Sequence, residues 1–350
     1  MAKRIDISPD GTAWHLLPGA SGEITREGTV IEDTVFGQTY RSGLTGPITW
    51  SISADAVYKG FAGYVARLMR TGTSTAMTNE PCALVGGRTF RITATARRLV
   101  DRNLAYTVFD GATNVTAQVE RFNFLLGEFT FRSTYTVVGA ITITGNFLPL
   151  VSLARFREYT LTMTSDPIPN SDMPALQANA GWHLFLPGLK TVNIELPSVF
   201  SVVDNWAAQL ALRNEFVIEI NPDGTGFSGS FARGFFRLMN ARQSGNIGAL
   251  EEESIRFELN VPFLTGTATT PFLETPFTWF HAAGSPIPLA IRTALDRWLA
   301  DLPVHMRYLH NGVAGWRGEG VITNLSLTGG MEAANRFAVT AQMSGAPVTV

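Results

Sequence analysis

The chain has 350 residues, with Lys+Arg 27 against Asp+Glu 29 for a formal charge of −2, and it is 45% hydrophobic but only 16% charged. That length accommodates two domains with full-sized cores, while a balanced charge with no basic run excludes the electrostatic footprint of a sequence-specific nucleic-acid reader. One cysteine, Cys82, excludes an intrachain disulfide. No stretch approaches the ~18 apolar residues that span a bilayer. Met1-Ala2-Lys3-Arg4-Ile5-Asp6 has no apolar run behind its charges. The expectation is a protein without a secretory leader, made in a reducing cytosol and with no membrane association. The low charge load suggests a surface partly covered by other subunits.

In chain order, Ile48-Thr49-Trp50-Ser51-Ile52-Ser53 is the first segment to alternate apolar and polar residues with period two, the mark of a strand with one buried face. Tyr159 to Met163, Val192 to Leu196, Phe216 to Ile220, Ile255 to Val261 and Phe337 to Met343 do the same. Asp110-Gly111, Asn221-Pro222-Asp223-Gly224 and Gly329-Gly330 are turn signals. Two helices are predicted. Val202 to Leu212 is carried by Trp206, Ala207 and Leu210. Pro288 to Leu302 sets Ile291, Leu295, Trp298, Leu299 and Leu302 on one face and stops at Pro303. The fold expected is mainly β, with two tandem sandwich or barrel-type domains that each carry a short helix.

The chain also repeats itself. Trp14-His15-Leu16-Leu17-Pro18-Gly19 returns as Trp182-His183-Leu184-Phe185-Leu186-Pro187-Gly188. Tyr58-Lys59-Gly60 with Ala66-Arg67-Leu68-Met69 returns as Phe227-Ser228-Gly229 with Phe236-Arg237-Leu238-Met239. Gly139-Ala140-Ile141-Thr142 with Tyr159 to Met163 returns as Gly320-Val321-Ile322-Thr323 with Val339 to Met343. Three collinear pairs point to two copies of one module. The boundary falls in the proline-rich Ser165 to Pro174 segment, giving domain 1 over residues 1–170 and domain 2 over 171–350. Residues 71–120 of the first copy have no counterpart and read as an insertion, and Thr265 to Thr275 reads as a long loop.

No constellation of catalytic or cofactor-binding chemistry converges. His15, His183, His281, His305 and His310 lack metal-ligand spacing with acids or the cysteine, so no metal and no cofactor is expected. Gly226-Phe227-Ser228-Gly229-Ser230 does not have the order of a nucleophile elbow. Glu251, Glu252 and Glu253 are read as a solvated loop or channel-rim acids. Arg67, Arg237 and Arg336 lie near aromatic residues, which suits interface anchors or equally stems packed on their own sheet.

Gly188-Leu189-Lys190-Thr191-Val192-Asn193-Ile194, followed by a helix, a strand ending in Asp223-Gly224, and Ser228-Gly229, resembles the bacteriophage (siphophage) major tail tube proteins. Phe36-Gly37, Ser42-Gly43-Leu44 and Ile48 to Ile52 form a related block in the first half, and Gly318 to Leu325 with Arg336-Phe337 resembles the family's last two strands. The resemblance implies a structural virion protein and no enzyme. Rings of tube domains would enclose a DNA channel, three doubled chains standing in for six subunits as a homotrimer. Stacked rings would form a tail tube for DNA ejection, assembled in the host bacterial cytoplasm with other tail proteins as partners. A lumen that passes double-stranded DNA without gripping it calls for neutral or acidic lining. A terminator or distal-tail ring, and a β-sandwich carbohydrate-binding module, remain as alternatives.

Overall fold

The computed structural model describes residues 3–19, 21–32, 43–57, 67–152, 155–156, 158–172, 178, 180, 182–200, 210–213, 215–221, 230–244, 252–260, 275–281, 284, 287–330 and 335–350. The chain is mainly β, as the period-two segments predict. The first part of the chain contributes β1 (Arg4–Ser8), β2 (His15–Leu16), β3 (Ser21–Glu32), β4 (Gly43–Val57) and β5 (Arg67–Thr71). Then come β6 (Thr75–Gly86), β7 (Thr89–Ile92), β8 (Thr107–Asp110), β9 (Thr113–Asn114), β10 (Val119–Asn123), β11 (Glu128–Phe131) and β12 (Ile141–Phe147). The middle holds β13 (Leu150–Ser152), β14 (Arg155–Phe156), β15 (Glu158–Ser165), β16 (Ile168–Pro169), β17 (Phe185–Leu186) and β18 (Lys190–Phe200). The rest is β19 (Glu215–Asn221), β20 (Phe231–Ser244), β21 (Glu252–Leu259), β22 (Phe277–Phe280), α1 (Leu289–Leu299), β23 (Val304–Leu309), β24 (Gly315–Gly330) and β25 (Arg336–Thr349).

Two compact units form, one from Met1–Tyr64, Glu158–Glu195 and Pro286–Val350, the other from Val65–Arg157 and Leu196–Ser285. Each draws on both halves of the chain, so neither follows a division at 170/171. The reason is strand pairing. β15, which closes the first repeat, hydrogen-bonds along β24 of the second, and β25 of the second lies against β4 of the first.

In the first unit, β24 is the axis of an antiparallel sheet. One edge meets β23 and then β15, the other meets β25, and β4 and β3 continue outward. β1 extends the β23 side and β18 the β15 side. Alternation makes the buried face a set of cross-strand rows. Ile194, Leu161, Leu327, Phe337 and Ala56 lie side by side across five strands, as do Val192, Met163, Leu325, Val339 and Ala54. All ten are buried. At about 25 cal/mol per Å² of apolar surface, such rows supply most of the drive to fold. The sheet curls, since Gly22 on β3 leaves room only for Ile5 of β1.

Helix α1 packs on β1, β2 and β24. Ala290, Ile291, Ala294, Leu295 and Trp298 are buried, as the helical spacing predicts. Leu302 is exposed because the helix stops earlier than predicted: Asp301 turns into the left-handed region (φ 56°), and Leu302 N–H returns to the Arg297 carbonyl. The Lys190 ammonium donates to the Leu299 carbonyl at 3.1 Å, closing an orphan helix-end acceptor. For the predicted Val202–Leu212 helix, residues 210–212 are helical; 202–209 lie outside the described residues, as do Trp206 and the predicted loop 265–274.

Repetition shows locally. β1 pairs β2 just before Pro18-Gly19, and β16 pairs β17 just before Pro187-Gly188. The predicted linker therefore contains a strand. The third sequence pair divides: Ile141-Thr142 belong to β12 in the second unit, whereas Val321-Ile322 belong to β24 in the first.

The insertion lies in the second unit. It runs beyond 71–120: β6 to β12, residues 75–147, form one seven-stranded sheet in the order β10-β11-β7-β6-β12-β8-β9. Phe122, Phe124, Phe129 and Phe131 fill its core with Ile92, Val108, Ile141 and Ile143. The core needs β12 to close: Ile141 and Ile143 belong to it, although the repeat match at Ile141-Thr142 sets β12 outside the insertion. This module packs on Val217 of β19 and Phe235 of β20. The buried Arg233 joins Glu219 and donates to the Leu125 carbonyl, while Arg102 forms a fork with Glu215 (Nε to Oε1 3.0 Å) and lies 3.8 Å over the Phe235 ring. β19 is thus covered on both faces and shows no burial alternation from Phe216 to Asn221.

Candidate functional site

The same alternation that buries one face of the first unit's sheet lays out a second, polar face. Across β18, β15, β24, β25 and β4, Asn193, Thr162, Ser326, Ala338 and Asp55 form one row. Thr191, Thr164, Asn324, Thr340 and Ser53 form the next. Glu195, Thr160, Thr328, Arg336 and Val57 form a third. β3 adds Glu23 opposite Ser53, Thr25 opposite Ser51 and Glu27 opposite Thr49.

Its chemistry is uniform. The side chains are short hydroxyls and amides, with hydrogen bonds such as Thr164 to Thr191 at 2.6 Å and Gln342 Nε2 to the Trp50 carbonyl at 3.0 Å. The charges on it are Glu23, Glu27, Asp55, Glu158 and Glu195 against Arg336, all exposed, and no lysine joins them among the described residues. A surface of this kind repels a polyanion weakly and offers it no bidentate partner beyond Arg336.

The predicted site residues scatter. Arg336 lies on the polar face between Thr328 and Val57. Arg237 is exposed on β20, between Glu215 of β19 and Glu258 of β21, so its charge faces acids on its own sheet. Arg67 pairs through its backbone with Asn221, at the other end of β19. Glu252 and Glu253 stand opposite Ser244 and Gln243 where the β20–β21 ladder ends, in the second unit; Glu251 is outside the described residues. The acids of the polar face were not singled out from the sequence. Their signal is faint: a carboxylate in phase with the threonines of an alternating strand, legible at Glu195 and Asp55 once register is known.

Elsewhere, Cys82 is half-buried on β6, and burial together with the Glu80 carboxylate pushes its thiol up to about 12, so it stays protonated and is no nucleophile. Among the described residues no group of three His, Cys, Asp or Glu is placed to hold a metal. Trp50, Trp279 and Trp298 are buried, whereas Trp14, Trp182 and Trp316 are half-buried. Among the described residues no helix is long and apolar enough to cross a membrane. Compared with known proteins, the chain matches no protein-family model and no curated sequence.

Proposed function

We propose that this chain is a structural subunit that associates with copies of itself into rings, and that stacked rings form a bacteriophage tail tube through which double-stranded DNA passes. The observation that carries the reading is the polar face of the first unit's sheet. It is broad, built of threonine, serine and asparagine, bears acids, and among the described residues lacks lysine. Duplex DNA carries one negative charge per about 1.7 Å of axis. A lining for its passage must stay wet and decline to pair with phosphates, and these side chains do both. β3 adds a second line of support: it is 12 residues long and pairs only with β4 among the described strands. A long free edge of this kind is an aggregation hazard unless it is covered, and closing sheets into a ring covers it. The trimeric ring, the location in the virion tail and the other tail proteins as partners belong to this proposal.

Negative-stain electron microscopy of the purified chain, with light scattering for mass, tests it. Tubes or stacked rings in threefold units with a duplex-wide hole are the expected result. Closed rings that never stack would move the chain to a terminator or distal-tail role, and a clean monomer at high concentration would overturn self-assembly.

A further inference from the structure

A separate cavity of about 280 Å³ opens in the first unit against Gly11, Trp14, His305, Arg317, Glu319 and Val348. Its walls are built rather than incidental. The Asp10 carboxylate accepts hydrogen bonds from Thr12 N–H (2.8 Å), Ala13 N–H (3.0 Å) and the Ser8 hydroxyl (3.0 Å), which fixes the loop that carries Trp14. These amide donors hold the Asp10 carboxyl well below the usual carboxylate range. Ser8 Oγ accepts from Gly11 N–H at 2.9 Å, and Arg297 donates to the Pro9 carbonyl. Gly11 sits at φ 75°, a conformation that favours glycine, and a Cβ there would crowd His305 Nδ1 at 3.3 Å. The Trp14 ring is held by the Arg307 guanidinium 4.5 Å from its centroid, and Arg307 is itself anchored by Nε to the fully buried Asp6 at 2.6 Å.

The groups facing the cavity are complementary in kind. Arg317 and Glu319 are both exposed, and neither has an ion-pair partner among the described residues. His305 stands opposite Glu319 and Arg307 opposite Arg317 on the β23–β24 ladder. Arg307 is matched by Asp6, which leaves one cation, one carboxylate and the His305 imidazole at the cavity. That balance disfavours an anion or a cation as the occupant. It suits a neutral molecule with several hydroxyls and one apolar face: a guanidinium and a carboxylate each bracket neighbouring hydroxyls with charge-assisted hydrogen bonds, and an indole receives the C–H face of a sugar ring. The volume lies near the lower end of ligand pockets, enough for a single ring.

We propose that this pocket binds one pyranose unit of a saccharide, with Trp14 as the stacking platform and Glu319 and Arg317 as the hydroxyl-reading pair. The site is independent of the ring-assembly reading, and failure of either leaves the other standing.

Saturation-transfer NMR on the full chain with methyl glucoside, methyl galactoside and N-acetylglucosamine as probes, and adenosine as a planar control, tests it. Transfer to the ring protons of at least one sugar is expected. Glu319→Gln, at an exposed position where folding is not at stake, and Trp14→Ala should each weaken that binding by about tenfold or more, a loss typical of one charge-assisted hydrogen bond or one aromatic contact. Absence of transfer from every sugar, transfer unchanged in Glu319→Gln, or binding of adenosine in place of the sugars would overturn the assignment.

Discussion

Several single residues carry more of the architecture than their chemistry suggests. Asp6 is fully buried on β1 and accepts from Arg4 (2.8 Å) and Arg307 (2.6 Å). Asp6→Ala would leave Arg307 without its acid and free the Trp14 ring, and should cost about 3–5 kcal/mol, read from urea denaturation. Gly318 matters for the opposite reason. A Cβ there would stand 2.5 Å from Trp50 Cζ2, while the Trp50 indole N–H is fixed on the Gly345 carbonyl at 2.7 Å and cannot swing away freely. Gly318→Ala should lose about 1–3 kcal/mol through overpacking, with the loss relieved when Trp50 is shortened to Phe. In the inserted module, the Asp110 carboxylate accepts from the Tyr135 hydroxyl (2.6 Å) and from Val138 N–H (2.8 Å). The Tyr135 hydroxyl and the Val138 and Gly139 amides lower the Asp110 pKa, while burial and Asp110 push Tyr135 up to about 12. A lowered carboxyl stabilises the fold above its unfolded pKa of about 4 and loses that stabilisation as pH falls. A raised phenol stabilises below about 10 and loses its part as pH rises through about 12. Removing the pair with Asp110→Asn and Tyr135→Phe should therefore flatten the pH–stability curve at both ends, and a curve as steep as the parent's would refute the link.

At the scale of elements, the inserted sheet is both self-contained and tied down. Thr75 and Phe147 pair across β6 and β12, so a short turn could join the flanking strands after excision of 75–147. The excision would nonetheless strip Arg233 of its Leu125 acceptor, take Arg102 from Glu215 and uncover Val217 and Phe235. The expected outcome is a second unit without a sharp thermal transition; a shortened chain melting as cooperatively as the parent would show the module to be an ornament. Legibility from sequence divides along the same line. β15 and β25 alternate cleanly, because a single face of each is packed, and Tyr159 to Met163 and Phe337 to Met343 predict their buried residues correctly. α1 is also legible, since Ile291, Leu295 and Trp298 keep helical spacing on a surface helix. β19 is legible as a strand but not in its environment: Val217, Glu219 and Asn221 lie under a module that arrives from elsewhere in the chain. Glu23, Asp55, Glu158 and Glu195 share a face only after six strands take their register, and register is a property of pairing that no local pattern contains.

At the scale of the whole molecule, the pairing of distant segments sets the order of events. Met343 lies opposite Trp50, and Phe337 opposite Ala56. Fragments 1–170 and 171–350 should each lack a cooperative transition when expressed alone and should regain it when mixed, measured by near-ultraviolet circular dichroism. Two fragments that fold separately would instead favour self-sufficient tandem domains.

Synthesis runs from one end to the other, and the first unit's sheet has to wait for it. Ribosomes add about 5–20 residues each second, so Trp50 emerges on the order of 15–60 s before the Met343 that will lie beside it. Through that interval β3 and β4 have each other and no further neighbour. The ribosome's pace thus becomes a term in this protein's yield, and slowing the last codons should lower the soluble fraction without altering a single contact of the finished fold.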